Sequence, residues 1–311
     1  MKRTIKAYYR VRSLIPKCVR TRLRQWLMHY QRSRCRNIWP INPAVSTVAP
    51  WNSWPEGKKF AVVLTHDVET ALGVEQCAQL MGIEEQLGFR SSFDFVPERY
   101  TTPTELRQRL KDRGFEVGVH GLLHDGRLYE SKSLFMKRAE RINHYLKSWG
   151  AVGFRSPSMH RNLDWLHELN ILYDASTFDV DPFEPDKRAL GTIFPAWVPP
   201  KEGKSGYIEL PYTLPQDSSL FLYLKEKDIR IWKGKTDWIA QHGGMVLINT
   251  HPDYMRFSPG SSANCTYPAE YYSQFLEYIL TEYEGDYWHA LPREIAAFAT
   301  EHIEQLPIAH S

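Results

Sequence analysis

From residue 60 to residue 252 the chain repeats one pattern: a short apolar run ends on a polar side chain, and a helix-forming stretch follows in most repeats. The run "FAVVLTHD" (60–67) ends at His66 and Asp67, and "FEVGVH" (115–120) ends at His120. "VGFRSP" (152–157) reaches Arg155, "ILYDAS" (171–176) reaches Asp174 and Ser176, and "MVLINTHP" (245–252) reaches His251. "SSFDFV" (91–96) and "YIELPY" (207–212) are further strand candidates, and helices are expected over 74–87, 103–113, 132–148, 162–169, 268–283 and 292–304. Thr102, Pro103 and Glu105 look like a capping-box start for the second of these helices. Strands alternating with helices predict an α/β fold with a parallel sheet. Closed as a distorted (β/α) barrel of about seven strands, such a sheet brings its carboxyl ends to one face, so residues far apart in sequence share a cleft.

The 311 residues, 42% of them hydrophobic, suffice for a barrel-sized core. The formal charge of +3 conceals an asymmetry. Residues 1–36 hold twelve Lys or Arg and no acid, and the other 275 hold 27 basic against 36 acidic residues. The body is therefore acidic, and nucleic-acid binding by bulk charge is not expected. The division read from this is a basic amphipathic extension and linker over 1–50, with "NIWPINPAVSTVAPWNSWPEG" (37–57) as an extended approach, and a barrel domain over 51–311. The head shows no signal-peptide core and no cleavage site, and no run reaches the length of a spanning helix. Val19, Leu23, Trp26, Leu27 and Tyr30 recur at helical spacing among Arg20, Arg22, Arg24, Arg32 and Arg34. That pattern suits either a solvated basic tail or a helix lying on an anionic bilayer. Cys18, Cys35, Cys77 and Cys265 form no CxxC pair, and free thiols in a reducing cytoplasm are the expectation. The expected location is cytoplasmic, with peripheral contact at the inner membrane face.

His120 and His124 stand four apart, close enough for both imidazoles to reach one ion. Such a pair alone is weak evidence, but Asp67 and Glu69 end another strand of the same predicted face. Two His and one carboxylate leave positions open for water and substrate, as a catalytic metal requires.

These residues carry a resemblance to the polysaccharide deacetylase family (carbohydrate esterase family four, the NodB-homology domain), which covers roughly residues 60–255. Thr65-His66-Asp67-Val68-Glu69 resembles the family's Thr-Phe-Asp-Asp motif, and His120 to His124 resembles its His-(Ser/Thr)-x-x-His. Arg155-Ser156-Pro157 matches Arg-x-Pro, and Ile248-Asn249-Thr250-His251-Pro252 resembles Leu-x-x-His-Pro. A looser fourth motif falls in "YDASTFDVD" (173–181), and "WHALPREIAAF" (288–298) is similar to a closing element in a subgroup of the family. The resemblance implies removal of the N-acetyl group from an N-acetylhexosamine glycan, and the expected lack of a signal peptide points to a lipid-linked or nucleotide-linked saccharide precursor in surface polysaccharide biosynthesis. It implies a divalent metal on His120 and His124, zinc first and cobalt, nickel or iron as the others. It gives Asp67 as general base, His251 as general acid and Arg155 as the group that orients the base.

Two departures bear on that assignment. The family's second Asp, its third metal ligand, is Val68 here. Glu69 lies two residues beyond Asp67, on the same side of a strand, and is assigned as the third ligand. The competing assignment makes Asp67 the ligand and His66 or Glu69 the base. Gly121 stands where a Ser or Thr usually bridges the two His. Pro157, Asp174, Ser176, Glu209 and Tyr212 are the candidate substrate contacts, with Gln216 and Asp217 in the same hydrogen-bonding set, although Asp174 and Ser176 also read as turn formers. Asp179 or Asp181 is the candidate to tune His251, and His66 reads as a packed histidine. Trp197, Trp232 and Trp288 suit either sugar stacking or core packing. The other readings kept open are a non-catalytic carbohydrate-binding or scaffold protein on the same fold, and a metal-dependent hydrolase of another bond, such as a phosphoester or cyclic amide.

Overall fold

The computed structural model describes residues 17–184, 186, 188–201, 203–258 and 265–309, with only the backbone of Lys17 and Cys18. Residues 1–16 of the basic head and the Cys18 thiol lie outside the described residues.

In chain order the elements are α1 (Lys17–Arg34), β1 (Phe60–Val68), α2 (Ala71–Gln86), β2 (Ser92–Phe95), α3 (Thr104–Asp112), β3 (Glu116–His120) and α4 (Lys132–Trp149). There follow β4 (Gly153–Arg155), the short α5 (Leu163–Leu166), β5 (Tyr173–Asp174), β6 (Ala196–Val198), β7 (Tyr207–Glu209), a π-helical turn (Ser218–Tyr223), α6 (Arg230–Gln241) and β8 (Met245–Thr250). The chain closes with β9 (Met255–Arg256), β10 (Tyr267–Pro268), α7 (Glu270–Glu282), β11 (Tyr287–His289) and α8 (Pro292–Thr300).

All nine residues of β1 are buried, as expected of a strand covered by helices outside and by facing strands inside. β1 pairs in parallel with β8 on one side, and on the other with β11 near its start and β2 near its end. From β2 the sheet runs β3, β4, β5 and β7 in parallel, and β6 adds to β7 antiparallel. The barrel closes irregularly: the amides of Thr213 and Leu214, beyond the end of β7, both donate to the Leu247 carbonyl of β8, at 3.0 and 3.1 Å. Seven strands (β1, β2, β3, β4, β5, β7 and β8) thus make the wall of a distorted (β/α) barrel, as the strand pattern predicts.

Local signals fix several boundaries. Ser131 caps α4 by accepting from the Leu134 amide, and Gly150 ends that helix in the left-handed region at φ 59°. The capping box expected at α3 does not form, because Pro103 occupies the N-cap and Thr102 lies one residue too early, with its hydroxyl making no hydrogen bond. The helix expected over 162–169 shrinks to one turn, α5. The approach segment 37–57 packs on the barrel through buried Trp39, Trp51 and Trp54, and the Trp54 indole donates to the Gly243 carbonyl at 2.8 Å. Trp232 is buried, with its indole donating to the Pro215 carbonyl, and Trp288 packs beside Trp54 and Phe298. Among the described residues, no helix is long and apolar enough to cross a membrane.

Candidate active site

Strand alternation builds the site. Thr65 and Asp67 of β1 point into the barrel, and Glu69 follows on the same side just past the strand. His66 points outward, as alternation requires, with Nδ1 2.7 Å from Thr250 Oγ1 and Nε2 2.8 Å from Glu84 Oε1. It is a packed histidine.

Asp67 is held from two sides. Arg155 Nη1 donates to its Oδ1 at 3.1 Å, and Asn249 Nδ2 donates to its Oδ2 at 2.8 Å. The same Arg155 nitrogen donates to Asn249 Oδ1 and Thr65 Oγ1, and Arg155 Nε donates to the Ala175 carbonyl. Burial opposes the Asp67 charge, but His120, Arg155, His251 and the Asn249 hydrogen bond outweigh it and hold its pKa at about 2. Asp67 is therefore an oriented carboxylate at neutral pH. Asp94 of β2 lies beside it in register, 3.6 Å from Arg155, and burial raises its pKa to about 6 against the pull of Arg155. Gly118 on the next strand makes room for Asp94, whose Oδ1 would lie 1.9 Å from an added Cβ.

Glu69, His120 and His124 present donor atoms that all lie within 4.8 Å of one another. His120 Nδ1 donates to the Arg155 carbonyl at 3.1 Å, which fixes the tautomer and leaves Nε2 as the bare lone pair. Burial lowers the His120 pKa to about 4, although Asp67 opposes the shift, so the ring is neutral at pH 7. His120 Nε2 and His124 Nε2 are both buried and without a hydrogen-bond partner. His124 Nε2 lies 3.0 Å from Glu69 Oε1. Tyr254 donates to Glu69 Oε2 at 2.6 Å, and the Glu69 amide donates to Asp253 Oδ2 at 2.8 Å. Two buried imidazole nitrogens that face one carboxylate, neither of them in a well-aligned hydrogen bond, fit a divalent cation.

The loop that carries both histidines requires Gly121. Its φ is 66°, and an added Cβ would lie 2.3 Å from the Pro157 ring. The missing Ser or Thr thus reflects the backbone turn and the close approach of Pro157, which packs against this loop.

His251 completes the group. Its Nε2 lies 3.9 Å from Asp67 Oδ2 and 4.0 Å from Glu69 Oε1. Its Nδ1 is 2.7 Å from Asp217 Oδ1, and its amide donates to Asp217 Oδ2 at 2.8 Å. Burial opposes protonation, but Asp217, Glu69 and Asp67 prevail and push the His251 pKa up to about 10. Asp217, not Asp179 or Asp181, therefore governs His251. Asp179 is paired with buried Lys235 at 2.8 Å, and Asp181 accepts from Tyr212 at 2.8 Å.

The four remaining candidate substrate contacts, Asp174, Ser176, Glu209 and Tyr212, are buried. Ser176 Oγ donates to Asp174 Oδ1 at 2.6 Å and accepts from the Ser156 amide at 2.8 Å. Thr177 donates to Glu209 Oε1, and burial together with adjacent Asp174 pushes Glu209 well above the usual carboxylate range. These side chains are buried inside the barrel wall, where only Glu209 Oε2 is without a hydrogen-bond partner among them, whereas Glu69 and His124 keep some exposed surface. Asn249, Asp94, Asp253 and Tyr254 are site or supporting residues to which sequence reasoning gave no such role, and Asp217, expected among the sugar contacts, instead holds His251. Asn249 and Asp94 were discoverable by counting in twos from His251 and along "SSFDFV".

No family model matches the sequence, and no curated protein matches it. Solved structures do match the fold. A polysaccharide deacetylase from Mycobacterium smegmatis, described as putative, aligns with a TM-score of 0.63 at 20% identity over 86% of this chain and 98% of its own. Puue Allantoinase aligns with a TM-score of 0.61 at 13% identity over 85% and 99%. A polysaccharide deacetylase from Pseudomonas aeruginosa PAO1, described as probable, aligns with a TM-score of 0.57 at 16% identity over 80% and 94%. The chain has the fold of polysaccharide deacetylases, a fold that an allantoinase shares.

Proposed function

We propose that the protein is a metal-dependent hydrolase that removes the N-acetyl group from an N-acetylhexosamine-containing saccharide. The observation that carries this reading is the arrangement of two buried imidazole nitrogens and Glu69 beside an oriented carboxylate and a protonated histidine. Glu69, His120 and His124 would hold the divalent ion, zinc first by donor type. Bound there, such an ion supplies Lewis-acid polarisation of the acyl oxygen and makes a water more acidic.

The chain's own residues do the rest. Asp67, ionised and held by Arg155 and Asn249, takes a proton from the attacking water. His251 delivers its Nε2 proton to the leaving nitrogen, and Asp217 stabilises the imidazolium until that moment. The 3.9 Å between Asp67 Oδ2 and His251 Nε2 supports a base and an acid that serve one reacting centre. One amide bond and one water are consumed, and acetate and a free amine result.

The proposed setting is the cytoplasm, in biosynthesis of a surface polysaccharide, and the free thiols Cys35, Cys77 and Cys265 suit a reducing compartment. The substrate would then be a lipid-linked or nucleotide-linked precursor. A second reading, a hydrolase of a cyclic amide, is favoured only by the fold shared with an allantoinase. Acetate release by the full chain from N-acetylglucosamine oligomers and lipid-linked precursors, with added zinc and with chelator, tests the proposal. Chelator-sensitive acetate supports it. Stoichiometric metal binding with no acetate from any of these substrates would favour the carbohydrate-binding reading, and turnover of cyclic amides alone would favour the second.

A further inference from the structure

Helix α1 has two faces. Its inner face packs through buried Met28, through Gln25, which donates to the Leu222 carbonyl at 3.0 Å, and through Arg32, paired with Glu226. The opposite arc is apolar and open: Val19 is 50% exposed, Leu23 59%, Trp26 65%, Leu27 44% and Tyr30 48%. These five positions span one face of the helix at 100° per residue, with Arg20, Arg22 and Arg34 within or beside the arc. No acidic residue occurs in residues 1–36, and the segment before α1 adds five Lys or Arg to the sequence.

We propose that α1 docks the protein on an anionic lipid bilayer, with Leu23, Trp26, Leu27 and Tyr30 in the interface and the arginines at the headgroups. Charge complementarity selects this occupant. A basic, aromatic and acid-free face matches an anionic surface. A second copy meeting it face to face would oppose arginine to arginine with no acid on either helix.

Helix α1 also touches the short segment that supports the catalytic centre. Arg24 stacks over Tyr223 at 4.2 Å, and Gln25 bonds to Leu222, both in the π-helical turn Ser218–Tyr223. Asp217, which caps that turn, is the residue that grips His251. Resting on the deacetylase reading above, this placement favours a lipid-linked over a nucleotide-linked saccharide as substrate.

Flotation of the full chain with vesicles of phosphatidylcholine alone or with phosphatidylglycerol tests the docking without any substrate, so its failure is separate from failure of the deacetylase reading. The expected result is binding to the anionic vesicles only, weakened by salt. Leu23→Ser with Trp26→Ser should weaken it at least about tenfold, in line with the apolar area withdrawn from the interface. Arg22→Ser with Arg34→Ser should weaken it about 25-fold, at about fivefold for each arginine near the surface. Both double variants should unfold at the temperature of the parent, since the residues changed are exposed. Equal binding to neutral vesicles or none to either would overturn the proposal. So would a dimer, seen by sedimentation equilibrium, that Leu23→Ser with Trp26→Ser dissolves.

Discussion

Replacing Asp217 by Asn isolates the group that keeps His251 protonated. Asp217 accepts from His251 Nδ1 at 2.7 Å, from the His251 amide at 2.8 Å, from the Ser218 amide at 2.6 Å and from the Tyr267 hydroxyl at 3.0 Å. It contributes most to raising the His251 pKa to about 10 against the cost of burial. Without that charge the pKa should return to the ordinary value of about 6.5 or below. The acid must carry its proton, so a lower pKa moves the alkaline limb of the rate profile towards acid. At a pKa of about 6.5, roughly three-quarters of the imidazole is protonated at pH 6 and about 3% at pH 8. The variant should therefore be within a few-fold of the parent near pH 6 and about 30-fold slower near pH 8. Steady-state acetate release across pH 5.5–9, with metal saturating, measures this. A loss of equal size at every pH would refute the reasoning, because it would make Asp217 a purely positional residue.

Three further outcomes follow from the same geometry. Arg155→Lys removes the planar guanidinium whose Nη1 joins Asp67, Asn249 and Thr65 while its Nε is anchored on the Ala175 carbonyl, so kcat should fall about 10²-fold while zinc content, measured by elemental analysis, stays at one per chain. Tyr254→Phe deletes the hydroxyl that holds Glu69 Oε2 and should weaken zinc affinity at least about tenfold, read by competition with a chromogenic chelator. Chelation of the bound ion should lower Tm by about 4 °C, from about 2.7 kcal/mol of binding free energy at a hundredfold excess over Kd, set against an unfolding entropy of about 0.65 kcal/mol/K for a chain of this length. An unchanged calorimetric transition would argue against a metal in the folded state.

Much of the catalytic face was legible because a barrel turns strand order into spatial convergence. Asp67, His120, Arg155 and His251 each end an apolar run, and those ends meet. Glu69 was reached by the two-residue period of β1. Local periodicity has no grip where the backbone is irregular. Asp217 sits at a π-helical turn and Tyr254 in a short 3₁₀ turn after β8, so their partners could not be read from spacing. Asp174 and Glu209 look like cleft residues at strand ends, but they face each other across β5 and β7 and pack inside the wall. Helix α6 is not among the helices expected from the sequence although Trp232, Thr236 and Ile239 mark a helical face, and buried Lys235, paired with Asp179, interrupts the apolar pattern of that face.

The central claim is that Glu69 binds the metal and Asp67 does not. Zinc content of Glu69→Ala and Asp67→Asn, prepared side by side and measured by elemental analysis after dialysis against limiting zinc, tests it directly. The account predicts that Glu69→Ala loses the metal, whereas Asp67→Asn keeps one ion per chain and loses turnover. An Asp67→Asn protein without zinc beside a fully loaded Glu69→Ala protein would contradict it and exchange the roles of the two carboxylates.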